Sequence, residues 1–180
     1  MKVILDDKHV LLRTYFIIDF ACLSSDVNWV ETNVLPQLGT DLVLCHNDIV
    51  CQNILYKSSS QTVSFIDFEY CAINYALFDV ANHFVEYAGV DQIDFDRYPS
   101  RAEQYHWLEI YFQARNVQVN NLEQICQQID QFAALSHLCF GLWALAHVGF
   151  AQDPSEYLSY GQRRLKRFKE LQSLFFSMNK

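Results

Sequence analysis

Glycine is scarce in this chain. There are five in 180 residues, at positions 39, 89, 141, 149 and 161, with no two closer than eight residues. Neither G-x-G-x-x-G nor G-x-x-x-x-G-K-[ST] can be written anywhere, so a glycine-rich phosphate cradle is excluded from these residues. Cations are almost missing from one half. Between Thr14 and Asp96 the only Lys or Arg is Lys57, against twelve acids. The formal net charge of −8 argues against general binding to nucleic acid, which needs a basic face. The six cysteines form no C-x-x-C and no Cys/His ligand spacing, and no secretory signal is visible, since Asp6, Asp7 and Lys8 interrupt the N-terminus. Free thiols and a cytoplasmic setting are expected.

What is abundant is apolar surface: 51% hydrophobic against 19% charged residues. That excludes a disordered chain. From Gln131 to Gln152 no Asp, Glu, Lys or Arg occurs. The stretch is long enough to span a bilayer. Ser136, His137 and His147 dilute it, however, and Asp130 and Asp153 flank it without a basic bias. The expectation is a buried core helix, not a span. Five cations then cluster at Arg163, Arg164, Lys166, Arg167 and Lys169, interleaved with Leu165, Phe168 and Leu171 at helical spacing. They read as the wet face of a terminal helix.

Residues 1–25 define no clear element, and 26–180 form one domain. Ser25 reads as the cap of a helix from Asp26 to Leu38, stopped by Gly39. LVLCH (42–46), NILY (53–56) and VSFID (63–67) read as strands, the last two joined by KSSSQ as a hairpin. The rest is helical. A helix over 77–88 ends at Gly89, and Ser100 with Glu103 makes a capping box for a helix to Arg115. Asn120 with Glu123 opens the long charge-free helix. Asp153 and Pro154 open the last. The class is α+β, mostly α.

The densest polar constellation is HNDIVCQN (46–53), followed by IDFEY (66–70). Asp48 and Asn53 lie on a loop between two strands, where one can take a proton from a hydroxyl and the other can hold a metal ion. Asp67 and Glu69, at i and i+2 of a strand end, point to the same side if the strand continues. Two carboxylates on one face require a cation between them, and oxygen donors suit Mg²⁺. The bland alternative is that His46, Asp48 and Asp67 satisfy buried backbone groups. D-x-x-x-x-N, a strand pair and then I-D-F-E is more specific, and matches the catalytic loop and metal-binding Asp of kinases.

LCHNDIVCQNILY and VSFIDFEYCAINYALFDVANHFVEYAGV resemble the choline/ethanolamine kinases. The likeness runs from about Asp26 to about Leu171, and the segment after Glu86 is more similar to the ethanolamine branch. FGLWALAHVGFAQDPSEYLSYGQRRLKRF resembles the family's C-terminal helices. The resemblance implies the C-terminal lobe of a protein-kinase-like fold, with the N-terminal ATP lobe absent. It implies phosphorylation of ethanolamine by ATP with Mg²⁺, the first step of the CDP-ethanolamine route to phosphatidylethanolamine. Asp48 would be the base at the substrate hydroxyl, Asn53 and Asp67 metal ligands, and Glu69 a support acting through metal-bound water. Tyr70, Glu86, Phe140 and Trp143 would form the ammonium pocket, with Phe140 standing where the family often has a second Trp. Their bland reading is core packing. His46 and Asp79 would support the catalytic loop, and His83 would pack and hydrogen-bond. Choline as substrate and a non-catalytic lobe that binds an amino alcohol or a kinase partner remain alternatives. So does an aminoglycoside-type phosphotransferase, which would lack the NHF-x-E-Y-A-G segment found here. Without an ATP lobe, apolar surface is expected to be exposed, and a homodimer is left open.

Overall fold

A computed structural model describes residues 19–38, 41–89 and 93–175. The first helix, α1, is Phe20–Asn33. It starts earlier than the expected Asp26 because Asp19, not Ser25, caps it: the Asp19 carboxylate accepts the Cys22 amide at 3.0 Å. It ends at Asn33, ahead of a 3₁₀ turn over Leu35–Gln37 that carries Pro36. The proposed stop at Gly39 lies outside the described residues.

Two antiparallel ribbons follow. β1 (Leu42–Cys45) pairs with β4 (Ala72–Tyr75), with Leu42 opposite Tyr75 and Cys45 opposite Ala72. β2 (Ile54–Lys57) and β3 (Thr62–Phe65) form the expected hairpin, Ile54 opposite Phe65. The β1–β4 ribbon therefore encloses the hairpin and the loops on either side of it. Several apolar residues on the ribbons are exposed, Leu44 at 72% and Ile73 at 68% among them.

Four helices complete the fold: α2 (Ala76–Glu86), α3 (Arg101–Ala114), α4 (Leu122–His147) and α5 (Pro154–Phe175). Gly89, past the end of α2, adopts φ 80°, a left-handed conformation natural to glycine. The capping box of α3 is present: the Ser100 amide donates to Glu103 Oε2 at 2.8 Å, and the Glu103 amide to Ser100 Oγ at 3.5 Å. The cap of α4 is Asn121, not Asn120; its Oδ1 accepts the Gln124 amide at 3.1 Å. Asp153 accepts the Ser155 amide at 2.9 Å just ahead of α5.

α4 is the core helix. Its most apolar window is 67% buried inside the protein, against α2 and α5. Phe84 of α2, Ile129, Phe132 and Ala134 of α4, Leu108 of α3 and Phe168 of α5 meet in one cluster. The closest helix contact is between α4 and α5. A Cβ on Gly141 would fall 2.7 Å from Leu165 Cγ, and one on Gly161 would fall 3.1 Å from the Gly141 carbonyl. Gly141→Ala is therefore expected to destabilise the protein by about 1–3 kcal/mol through overpacking. This outweighs the ~1 kcal/mol that alanine gains over glycine in a helix. Urea unfolding checks the sign; a more stable variant would mean that the helix contact yields.

The basic cluster on α5 is not uniformly wet. Arg163 and Lys166 are exposed, but Arg164 is 2% exposed. The close approach of α4 and α5 buries it, and an internal partner replaces water.

Candidate active site

The loop after β1 carries Asp48 and is held from behind. The Asp79 carboxylate, one turn into α2, accepts the His46 amide through Oδ2 and the Asn47 amide through Oδ1, both at 2.7 Å. Asn47 sits at φ 66°, a left-handed position that asparagine tolerates better than most residues. Its side chain is also tied: Nδ2 donates to the Tyr70 carbonyl at 2.9 Å and Oδ1 accepts from Asn74 at 2.8 Å. Buried His46 reaches the Ile66 carbonyl through Nε2 at 2.9 Å. A carbonyl only accepts, so Nε2 carries the proton. His46 thus joins the Asp48 loop to the segment that leads into Asp67. His83 makes the matching contact from α2, its Nδ1 3.3 Å from the Ile49 carbonyl. Burial holds its pKa below the ordinary imidazole value and so favours the neutral ring.

Asn53 is buried beneath Asp48. Its Nδ2 donates to the Asp48 carbonyl at 3.0 Å and to Asp48 Oδ2 at 2.9 Å. That orients the Asp48 carboxylate and turns the Asn53 amide oxygen the other way, as a donor for a cation. Burial pushes the Asp48 carboxyl above its ordinary value, and the negative charge of Glu86 adds to this. The Asn53 hydrogen bond and His46 oppose the shift, and Asp67 adds slightly to it. Only the charged form of a carboxylate can take up a proton, and for Asp48 that form is lost as pH falls through this raised pKa. Glu86→Gln removes a neighbouring negative charge and is expected to move the Asp48 titration to lower pH. Carboxyl-carbon NMR titration reads this directly; an unmoved or raised midpoint would disprove the coupling.

Asp67 and Glu69 do not continue a strand, which corrects the expected strand-end geometry. β3 stops at Phe65, Asp67 turns to φ 64°, and Phe68–Tyr70 is a 3₁₀ turn. Both carboxylates are exposed. The i, i+2 argument fails because it assumes extended backbone. Among the described residues no group of three His, Cys, Asp or Glu side chains is placed to hold a metal by itself. Asp67 and the Asn53 amide oxygen are hard oxygen donors. Such a sparse set fits an ion that keeps water and phosphate oxygens as its other ligands.

Asp48, Tyr70, Glu86, Phe140 and Trp143 come together. They line one cavity of about 900 Å³, with α5 supplying Glu156, Tyr157, Tyr160 and Arg163 on its other side. Trp143 Nε1 donates to the Tyr70 hydroxyl at 3.0 Å. The Trp143 ring lies 6.4 Å from Phe140 and 5.7 Å from Tyr157, so aromatic faces from two helices meet here. Burial pushes the Tyr160 hydroxyl up to about 12. Glu86 is not a bare anion: Arg164 Nη1 donates to its Oε1 at 3.0 Å, and the two side chains are 2% and 5% exposed. Tyr157, Tyr160 and Arg164 were not singled out for this site from sequence. Their signal is the spacing 157, 160, 164, which puts them on one helical face.

A family model described as choline/ethanolamine kinase matches residues 5–169, and the chain belongs to this family. Its relatives sharpen the likeness. The chain is 37% identical over 149 residues to ethanolamine kinase 2 of Mus musculus, covering 81% of this chain and 38% of that protein. It is 35% identical over 148 residues to the ethanolamine kinase of Drosophila melanogaster, covering 80% and 29%. The solved ethanolamine kinase of Plasmodium vivax superposes with a TM-score of 0.74 at 33% identity, over 84% of this chain and 40% of that one. The choline kinase of Cryptosporidium parvum superposes at 0.75 with 19% identity, over 94% and 54%. At that identity it speaks to the fold alone. The architecture is that of a kinase-like lobe, and the chain spans less than half the length of the curated relatives it matches.

Proposed function

We propose that this chain is the catalytic and substrate-binding lobe of an ethanolamine kinase, which transfers the γ-phosphoryl group of ATP to the hydroxyl of ethanolamine. The observation that carries this reading is the single cavity holding Asp48 together with Glu86 and the aromatic faces of Phe140, Trp143 and Tyr157. A molecule with a hydroxyl and an ammonium group matches those two features. Asp48, oriented by Asn53, accepts the hydroxyl proton; its raised pKa makes it the better acceptor. The ammonium lies against the ring faces, where cations are attracted, with the Glu86 carboxylate beside it. Asp67 and the Asn53 amide oxygen would hold Mg²⁺, which offsets charge on the phosphates. Glu69, exposed next to Asp67, supports that ion through water. The six cysteines are free, in keeping with a cytoplasmic enzyme.

The test is an assay of the purified chain for ATP-dependent phosphorylation of ethanolamine and of choline, with Asp48→Ala alongside and a calorimetric titration of each amino alcohol. Turnover of ethanolamine that the variant lacks supports the reading. Binding without turnover would reassign the chain as a binding lobe. Neither binding nor turnover would overturn it.

A further inference from the structure

The best-buried charge in the described structure is Arg164, although it stands in a run of cations that are otherwise largely exposed. Its Nη1 donates to Glu86 Oε1 at 3.0 Å and its Nη2 to Ser136 Oγ at 3.2 Å. Ser136 in turn donates to Asn82 Oδ1 at 2.8 Å. The guanidinium lies over two rings, 5.3 Å from the centre of Phe140 and 5.4 Å from that of Tyr160. So α2, α4 and α5 all grip it, and its fork geometry leaves little freedom for rotation.

This grip has a consequence for Glu86. Only Oε1 is taken by Arg164, while Glu86 also lines the cavity that contains Asp48. With one oxygen held by Arg164, the carboxylate loses freedom to rotate, and Oε2 remains to accept another hydrogen bond. A primary ammonium has N–H groups that need such an acceptor in a definite direction. A quaternary ammonium has none, and gains from ring faces and field alone, which are not directional.

We propose that Arg164 is a positioning residue that aims Glu86 Oε2 into the cavity, and so sets a preference for primary over quaternary ammonium substrates. The inference rests on the amino-alcohol reading of the site. Arg164 does not touch the substrate; it acts through Glu86. A fixed charge-assisted hydrogen bond is strong enough for a selectivity of about tenfold or more.

Calorimetric titration of ethanolamine and choline into wild type, Arg164→Lys and Arg164→Met tests this. Wild type is expected to prefer ethanolamine. Arg164→Met should cut the ethanolamine-to-choline affinity ratio by about tenfold, mostly through lost ethanolamine binding. Arg164→Lys keeps a charge against Glu86 and should restore much of the ratio. If Arg164→Met does not fold, Ser136→Ala is the variant to read. It removes one anchor and keeps the charge, and should lower the ratio about threefold. An equal loss for both ligands would make Arg164 a mere strut and overturn the inference, as would a wild-type ratio near one. If wild type binds neither amino alcohol, the reading of the cavity itself fails, and the inference with it.

Discussion

Replacing Asp79 by Ala is expected to destabilise the protein by about 3 kcal/mol or more and to free the backbone at residues 46–48. Asp79 accepts two amide hydrogens at 2.7 Å. Hydrogen bonds to a charged acceptor contribute about 1.5–3 kcal/mol each, and removing the acceptor strands both donors. One of those donors belongs to Asn47, held at φ 66°, so the clamp also maintains a conformation that is costly by itself. Asp79→Asn retains a single accepting oxygen and should lose roughly half as much. Urea unfolding gives the energies. Hydrogen exchange at the His46 and Asn47 amides gives the location, with protection lost there and retained in α4. A loss below about 1 kcal/mol with unchanged exchange would show that the loop is held by other contacts.

The second large effect is expected at the Glu86–Arg164 pair. Breaking a buried ion pair from one side leaves an uncompensated charge and costs about 3–5 kcal/mol. Glu86→Gln and Arg164→Met should each show this. The double variant should be more stable than the sum of the two, because it leaves no lone charge. The two single variants should also differ in pH dependence. A bare buried carboxylate can take up a proton, whereas a bare guanidinium cannot shed one. The penalty of Arg164→Met should therefore shrink as pH falls, and that of Glu86→Gln should not. Strict additivity in denaturant unfolding would mean that the two side chains do not stabilise each other.

Much of the architecture was readable from local chemistry. Ser100 with Glu103, and Asp153 with Pro154, act within one helical turn, so their meaning does not depend on the rest of the fold. β4 was not anticipated, because Ala72–Tyr75 is a strand only through β1, about thirty residues earlier. Asp67 misled for a related reason: alternation along a strand predicts direction only while the backbone stays extended. The catalytic-loop motif and the family likeness together named Asp48, Tyr70, Glu86, Phe140 and Trp143, and one cavity gathers them. Arg164 was misassigned because charge runs are normally solvated. Its burial depends on the distance between two helices, which composition does not report.

That distance is set by Gly141 and Gly161, neither of which lines the cavity. A larger residue at either position pushes α5 away from α4 and carries Tyr157, Tyr160 and Arg164 with it. In a genetic screen such changes would be recovered as loss of function at residues that do not themselves line the cavity. A smaller side chain at Leu165, the group that crowds Gly141, would then emerge as the intragenic suppressor of substitutions at Gly141.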